Sequence, residues 1–361
     1  MDKLTHRRKL NRRAAAAAVM AVIMAAVLLC GCGAGSKAPE SVSNDGNFLD
    51  TICSGPVYRM TAEDGSVKDA SGMEDEALDV INGSFEVCKD LESKLSRTRK
   101  DSDVSRINSA KGEWTEVSAE TLDLIQKGVA YSELSGGDFD ITVGGVTKLW
   151  DFHAAEGEAK IPDEEAVAEA VKHVGYEGVE TDGNRVRLAD PEAEIDLGGI
   201  AKGYIGDCMT EYLEERGVVS AVINLGGNVI CIGGKTDESG FVIGVETPFS
   251  DRREIIGTVE AADKTLVTSG IYERRIEVDG KSYHHILDTA TGWPAETDLD
   301  AVTLIADKGS SADIDALSTT CLIKGADEGM KLIENTDGVE AIFVLSDGSI
   351  RTTDGAGFEK E

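Results

Sequence analysis

The stretch Glu194–Gly217, EIDLGGIAKGYIGDCMTEYLEERG, restricts the possible folds more than any other part of the chain. A short β-rich lead ends at Asp196 and two glycines follow. Apolar residues then recur at helical spacing (Ile200, Tyr204, Ile205, Cys208, Met209, Tyr212, Leu213) until Gly217 stops them. This pattern predicts a strand, a tight turn and a buried helix. The first N–H groups of such a helix lack helical acceptors, and Gly198 and Gly199 allow a phosphate or another backbone to come close. Two readings of the turn stand: an anion site, or a glycine bend that only lets helix and strand pack.

The chain around it begins with Lys3, Arg7, Arg8, Lys9, Arg12 and Arg13, followed by an apolar run from Ala14 to Cys30. A basic segment leading into a short apolar one predicts a secretory leader over residues 1–31. Its end, Leu29-Cys30-Gly31-Cys32, resembles a bacterial lipobox, which would make Cys32 the lipidated first residue of the mature protein. An ordinary secretory signal or a retained N-terminal helix is the competing reading. Residues 32–47, rich in Gly, Ser and Asn, read as a flexible tether, and residues 48–361 as one large domain.

The formal net charge of the 361 residues is −31, and it is more negative still without the basic leader. So acidic a surface repels nucleic acid and anionic lipid headgroups, so membrane attachment falls to the lipid. It also repels a free dinucleotide, and a phosphate ligand is therefore expected to arrive with a divalent cation. Beyond Cys32 the cysteines are Cys53, Cys88, Cys208, Cys231 and Cys321, all in apolar or β-branched surroundings and none in a CxxC. They read as small buried hydrophobes.

Ala77, Ile81, Phe85, Cys88, Leu91 and Leu95 mark an amphipathic helix, and 94–108 reads as a polar connection. Ser118 caps a second helix that closes at Gly136-Gly137. Pro162 starts a short acidic helix ending near Gly175. Ser220–Asn224 is a strand before the turn Gly226-Gly227-Asn228, and Asp279-Gly280 marks a hairpin. A β run over Ala301–Ala306 leads into a helix from about Ser311 to Ile323, and a further helix and hairpin follow. The irregular alternation of helices with antiparallel-looking strands predicts an α+β fold.

Familiar nucleotide signatures fail: no GxGxxG follows a strand, and Gly234-Lys235-Thr236 would need a glycine where Val229 stands. Polar words at the ends of apolar elements remain. Asp315 and Thr319, four apart on a helix, project oxygens from one face. With a carbonyl from the Gly199 turn they form an all-oxygen set suited to Mg²⁺ that keeps waters and phosphate oxygens. Read alone, the pair is more often a solvated Asp and a Thr bonded back to its own helix.

Taken in order, GGDFDITVGGVTKLWDF, DLGGIAKGY, INLGGN, TSGIYER, YHHILDTATG and ADIDALST resemble the ApbE family of FAD:protein FMN transferases, from about Phe48 to Gly348. The resemblance implies an ApbE-like, T-fold-related domain that uses FAD and Mg²⁺, joins FMN through its phosphate to a Thr or Ser of a target protein, and releases AMP. It implies an extracytoplasmic, lipid-anchored enzyme with an extracytoplasmic acceptor protein. The flavin-binding set would include Leu49, Asp138, Phe139, Asp140, Asp196 and Ile286. Thr98 would stand where relatives often carry an aromatic residue, and Lys202 beside the phosphates. The metal would take Gly199, Asp315 and Thr319, with Ser318 as an extra ligand, and Asp315 would serve catalysis through it. His285, by itself more often a structural residue on a β run, would act beside the pyrophosphate as general base or hold the acceptor hydroxyl. Two rival functions are an FAD pyrophosphatase using water as acceptor and a non-catalytic flavin-binding lipoprotein.

Overall fold

The computed structural model describes residues 40–152, 158–250 and 254–361. The leader and Cys32 lie outside them. A ten-stranded sheet forms the frame. In chain order its strands are β1 (Asp45–Phe48), β2 (Thr51–Ser54), β3 (Val57–Thr61), β4 (Val67–Asp69), β5 (Val218–Leu225), β6 (Asn228–Ile232), β7 (Lys264–Gly270), β8 (Leu299–Asp307), β9 (Glu340–Leu345) and β10 (Ile350–Thr352). Their order across the sheet is β1-β2-β5-β6-β7-β8-β9-β10, with β3 joined to β4 and β5, and every pairing is antiparallel.

Seven helices are described: α1 (Glu74–Leu95), α2 (Asp103–Ser109), α3 (Ala119–Ser135), α4 (Gly144–Trp150), α5 (Glu164–Val171), α6 (Ala201–Glu215) and α7 (Ser311–Glu334). Helices α6 and α7 lie on one face of the sheet, and α1 packs on α6. The other face is covered by the small sheet Phe241–Glu246, Ile255–Ala261 and Phe358–Lys360 through Phe241, Val245 and Val259. Because β8 is buried on both sides, its sequence LDAVTLIAD is a nearly unbroken apolar run. These are the mixed helices and antiparallel sheets expected of an α+β chain. The five described cysteines are unpaired, and all but the half-buried Cys208 are fully enclosed.

Several local expectations hold. Ser118 accepts from the Thr121 N–H at the start of α3, and Gly136 closes that helix with φ 73°. Asp279 and Gly280, at φ 51° and 76°, turn the hairpin Arg275–Val278/Lys281–His284. Gly325, at φ 76°, breaks α7 into the two segments read from the sequence.

Others are corrected. The lead into Asp196 is a single bridge between Glu194 and Val143, because the neighbouring DFDITV segment turns into α4 at Gly144. The polar connection 94–108 contains α2. Its two inward apolar residues, Val104 and Ile107, are too few to show a period, although Ser102 caps it by accepting from the Ser105 N–H at 2.9 Å. The flexible segment ends before residue 47: buried Val42 pairs with Val57, and β1 pairs with β2 across the turn Leu49-Asp50. Both turn residues have positive φ, 54° and 59°, as a tight two-residue hairpin requires.

Candidate functional site

The glycine turn and the late acidic helix meet backbone to backbone. A Cβ on Gly203 would lie 2.2 Å from the Ser311 carbonyl oxygen, so only glycine lets α6 approach the first turn of α7 this closely. Asp207, one turn further along α6, accepts from the Ser311 and Ala312 N–H groups at 3.0 and 2.9 Å and so caps α7. Asp315 lies one turn into α7, only 2% exposed, and its Oδ2 accepts from the Gly203 N–H at 2.9 Å. In a regular helix that N–H would bond the Gly199 carbonyl four residues back. Its diversion releases the Gly199 oxygen beside α7.

Thr319 completes the meeting: a Cβ on Gly199 would sit 3.6 Å from its Oγ1 and 3.0 Å from Cε2 of Phe139, whose ring packs over the turn. Gly199, Asp315 and Thr319 therefore converge from segments far apart in sequence. Burial pushes the Asp315 carboxyl above its ordinary range, while the Lys202 ammonium, the Gly203 N–H and the Asn228 amide favour the ionised form. One buried carboxylate, one hydroxyl and one released carbonyl fit a hard cation that keeps part of its water. Among the described residues no cluster of three or more His, Cys, Asp or Glu side chains offers an alternative metal site.

Cationic groups face this seam. Lys202 acts electrostatically on Asp315 and also on His285. The His285 backbone N–H and ring Nδ1 both lie 3.1 Å from the Arg274 carbonyl oxygen. A carbonyl only accepts, so Nδ1 carries the proton and Nε2 presents a lone pair. Burial, then the Arg274 guanidinium, push the ring down to about 3. Arg274 Nη2 stands 4.0 Å from Oδ2 of Asp50 at the tip of the β1–β2 hairpin, beside half-buried Leu49, whose N–H donates to Glu92 at 3.0 Å.

Asp196 is held in the turn. Its Oδ1 accepts from the Gly198 N–H at 2.9 Å, and its Oδ2 pairs with Arg97 Nε at 3.0 Å. Arg97 was not among the residues singled out from sequence, and a basic residue in a polar connection gives no sign of a partner so distant along the chain. Asp207 and Asn228 were missed as well.

Other expected residues have different surroundings. Asp138 pairs with Lys324 at 2.5 Å, near the break in α7. Asp140 is buried and uses both oxygens within the scaffold: Oδ1 accepts from the Thr142 N–H and hydroxyl, Oδ2 from the Tyr176 N–H. Ser318 is turned to the sheet, its hydroxyl 2.7 Å from that of Ser269, and donates back to the Asp315 carbonyl. The structure thus does not bring it to Thr319. Ile286 is buried in the core beneath α7. Thr98 is exposed, its hydroxyl 3.1 Å from Ser96 Oγ.

Comparison with known proteins gives a consistent result. Residues 54–343 match the model of the ApbE family. The chain is 30% identical over 346 residues to the FAD:protein FMN transferase of Treponema pallidum, covering 91% of both chains. It is 36% identical over 281 residues to that of Klebsiella pneumoniae, covering 76% of this chain and 84% of the relative. The crystal structure of the ApbE protein from Thermotoga maritima superposes with a TM-score of 0.77 at 32% identity, over 87% of this chain and 97% of that one. With a family match spanning most of its length and relatives this similar, the chain belongs to the ApbE family.

Proposed function

We propose that this protein is a Mg²⁺-dependent FAD:protein FMN transferase, anchored by lipid at Cys32 and acting on an extracytoplasmic acceptor protein. The observation that carries the reading is the convergence of the Gly199 turn, Asp315 and Thr319 under Lys202 and His285. The names of the relatives support the reaction, and the basic-apolar leader that precedes Cys32 supports the location. None of the described helices is long and apolar enough to cross a membrane.

In this reaction the acceptor hydroxyl oxygen bonds to the FMN phosphorus, the bond from that phosphorus to the bridging oxygen breaks, and AMP leaves. Asp315, Thr319 and the Gly199 carbonyl would hold Mg²⁺, which supplies charge neutralisation and orientation for phosphoryl transfer. Lys202, whose charge reaches both Asp315 and His285, would offset phosphate charge in a protein whose net charge of −31 would otherwise repel the substrate. His285 offers Nε2 to the proton of the attacking hydroxyl. An anion held near Lys202 and Arg274 cancels charges that depress that nitrogen, so binding raises its basicity when it is needed.

The test is mass spectrometry of a Ser/Thr acceptor incubated with FAD, Mg²⁺ and either wild type or Asp315→Asn. Wild type should add one FMN to the acceptor, and the folded variant none. An Asp315→Asn protein that flavinylates at the wild-type rate, or does so in the presence of a chelator, overturns the assignment. Free FMN and AMP with an unmodified acceptor would make the protein a hydrolase instead.

A further inference from the structure

Asn228 opens β6 directly after Gly226 and Gly227, which bend the chain at φ 67° and 108°. It is 0% exposed, and neither Oδ1 nor Nδ2 has a hydrogen-bond partner of regular geometry. Apart from one nitrogen of His284, these are the only such side-chain atoms among the described residues. A buried amide without a well-aligned partner is a standing cost, and leucine would fill the same volume without it. The amide faces Asp315 closely enough to favour its ionised form. Asp315 Oδ2 is already taken by the Gly203 N–H.

The geometry points to Asn228 as a positioning residue of the cation site, its Nδ2 steering the Asp315 carboxylate and its Oδ1 free to accept a hydrogen bond from a water that the ion would carry. This inference rests on the Mg²⁺ site proposed above and extends it to a residue on the sheet. Mg²⁺ gives up its waters reluctantly, so a site built from few protein oxygens needs acceptors placed for those waters. A carboxamide suits the task, because it donates to the carboxylate with one end and accepts from water with the other. The two glycines before it bring the backbone round so that the first side chain of β6 points at α7.

The experiment measures the thermal midpoint of the full protein, without flavin, against MgCl₂ at constant ionic strength, for wild type, Asn228→Leu and Asp315→Asn. The Asp315→Asn variant separates the site from general screening of an acidic surface. Wild type should gain a saturable rise in midpoint that Asp315→Asn lacks. Asn228→Leu should need on the order of 10–100-fold more Mg²⁺ for the same rise, while its midpoint without metal equals or exceeds that of wild type. If Asn228→Leu responds to Mg²⁺ as wild type does, the role of Asn228 is refuted and the cation site stands. If wild type and Asp315→Asn respond alike, the cation site itself fails, and the role of Asn228 with it. Should Asn228→Leu not fold, Asn228→Ser is judged by the same shift in Mg²⁺ requirement.

Discussion

Replacing Gly203 by alanine tests the seam on which the site is built. Gly203 has no positive φ, so the backbone accepts alanine, and helix propensity alone would stabilise α6 by about 1 kcal/mol. Packing decides the other way. The new methyl would fall 2.2 Å from the Ser311 carbonyl oxygen and 2.6 Å from the Ala312 nitrogen, both backbone atoms that no rotamer change can move. The two helices must part by about 1 Å, which strains or breaks the Gly203–Asp315 bond and both Asp207 bonds to the start of α7. Overpacking costs about 1–3 kcal/mol, and loss of a hydrogen bond to a charged group about 1.5–3 kcal/mol, for a net of about 1.5–5 kcal/mol after the propensity gain of about 1 kcal/mol. In a protein of this size that lowers the thermal midpoint by about 3–10 °C. The assay is calorimetric or urea unfolding beside Gly145→Ala, a substitution in α4 where the new Cβ meets nothing within 4 Å. Gly145→Ala should be neutral or slightly stabilising. A Gly203→Ala midpoint within about 2 °C of wild type would refute the argument that glycine sets the approach of α6 to α7.

Arg97→Ala leaves the Asp196 carboxylate without its ion-pair partner beside an anion site, and should weaken FAD binding about 5–30-fold, equivalent to about 1–2 kcal/mol. Flavin fluorescence titration measures it, and an unchanged dissociation constant would confine Arg97 to structural support. His285 is held neutral in the fold, at about 3, while in the unfolded chain it takes a proton near 6.5. The folded pKa is the lower one, so its contribution to stability is full above pH 6.5 and is lost as pH falls toward 3. The slope is at most about 1.4 kcal/mol per pH unit, less where solvent reaches the ring. Urea midpoints between pH 7.5 and 4.5 should therefore fall more steeply for wild type than for His285→Gln, and parallel curves would contradict a ring held neutral by the fold.

The parts of the fold readable in the sequence are those whose signal is local. Ser118 and Gly136-Gly137 announce the two ends of α3, and Asp279-Gly280 announces a hairpin, because caps and turns are chosen by the residues that form them. The neighbourhood of Asp315 and Thr319 was legible for a similar reason: they share a helix face whatever lies opposite. What lies opposite is less visible. Nothing near Arg97 announces Asp196, and nothing in INLGGN says that its last side chain is enclosed against α7. The strand expected before Asp196 failed because strand formation depends on a partner, and here the partner turns into a helix. Of the polar residues in the motifs, Asp140 and Ser318 bond to the scaffold, a distinction that depends on which way a side chain is turned within a motif.

Gly199 and Asp315 are separated along the chain by strands β5 to β8, which form the middle of the sheet. Loop closure over such a span comes late in folding, so an incomplete or nascent chain has no place where the carbonyl, the hydroxyl and the carboxylate are neighbours. An ion that recognises only the finished arrangement adds its whole binding free energy to the native state and none to its precursors. On the cation site proposed above, magnesium would favour only the finished fold, and partly assembled chains would neither capture nor consume flavin before strands β5 to β8 have paired.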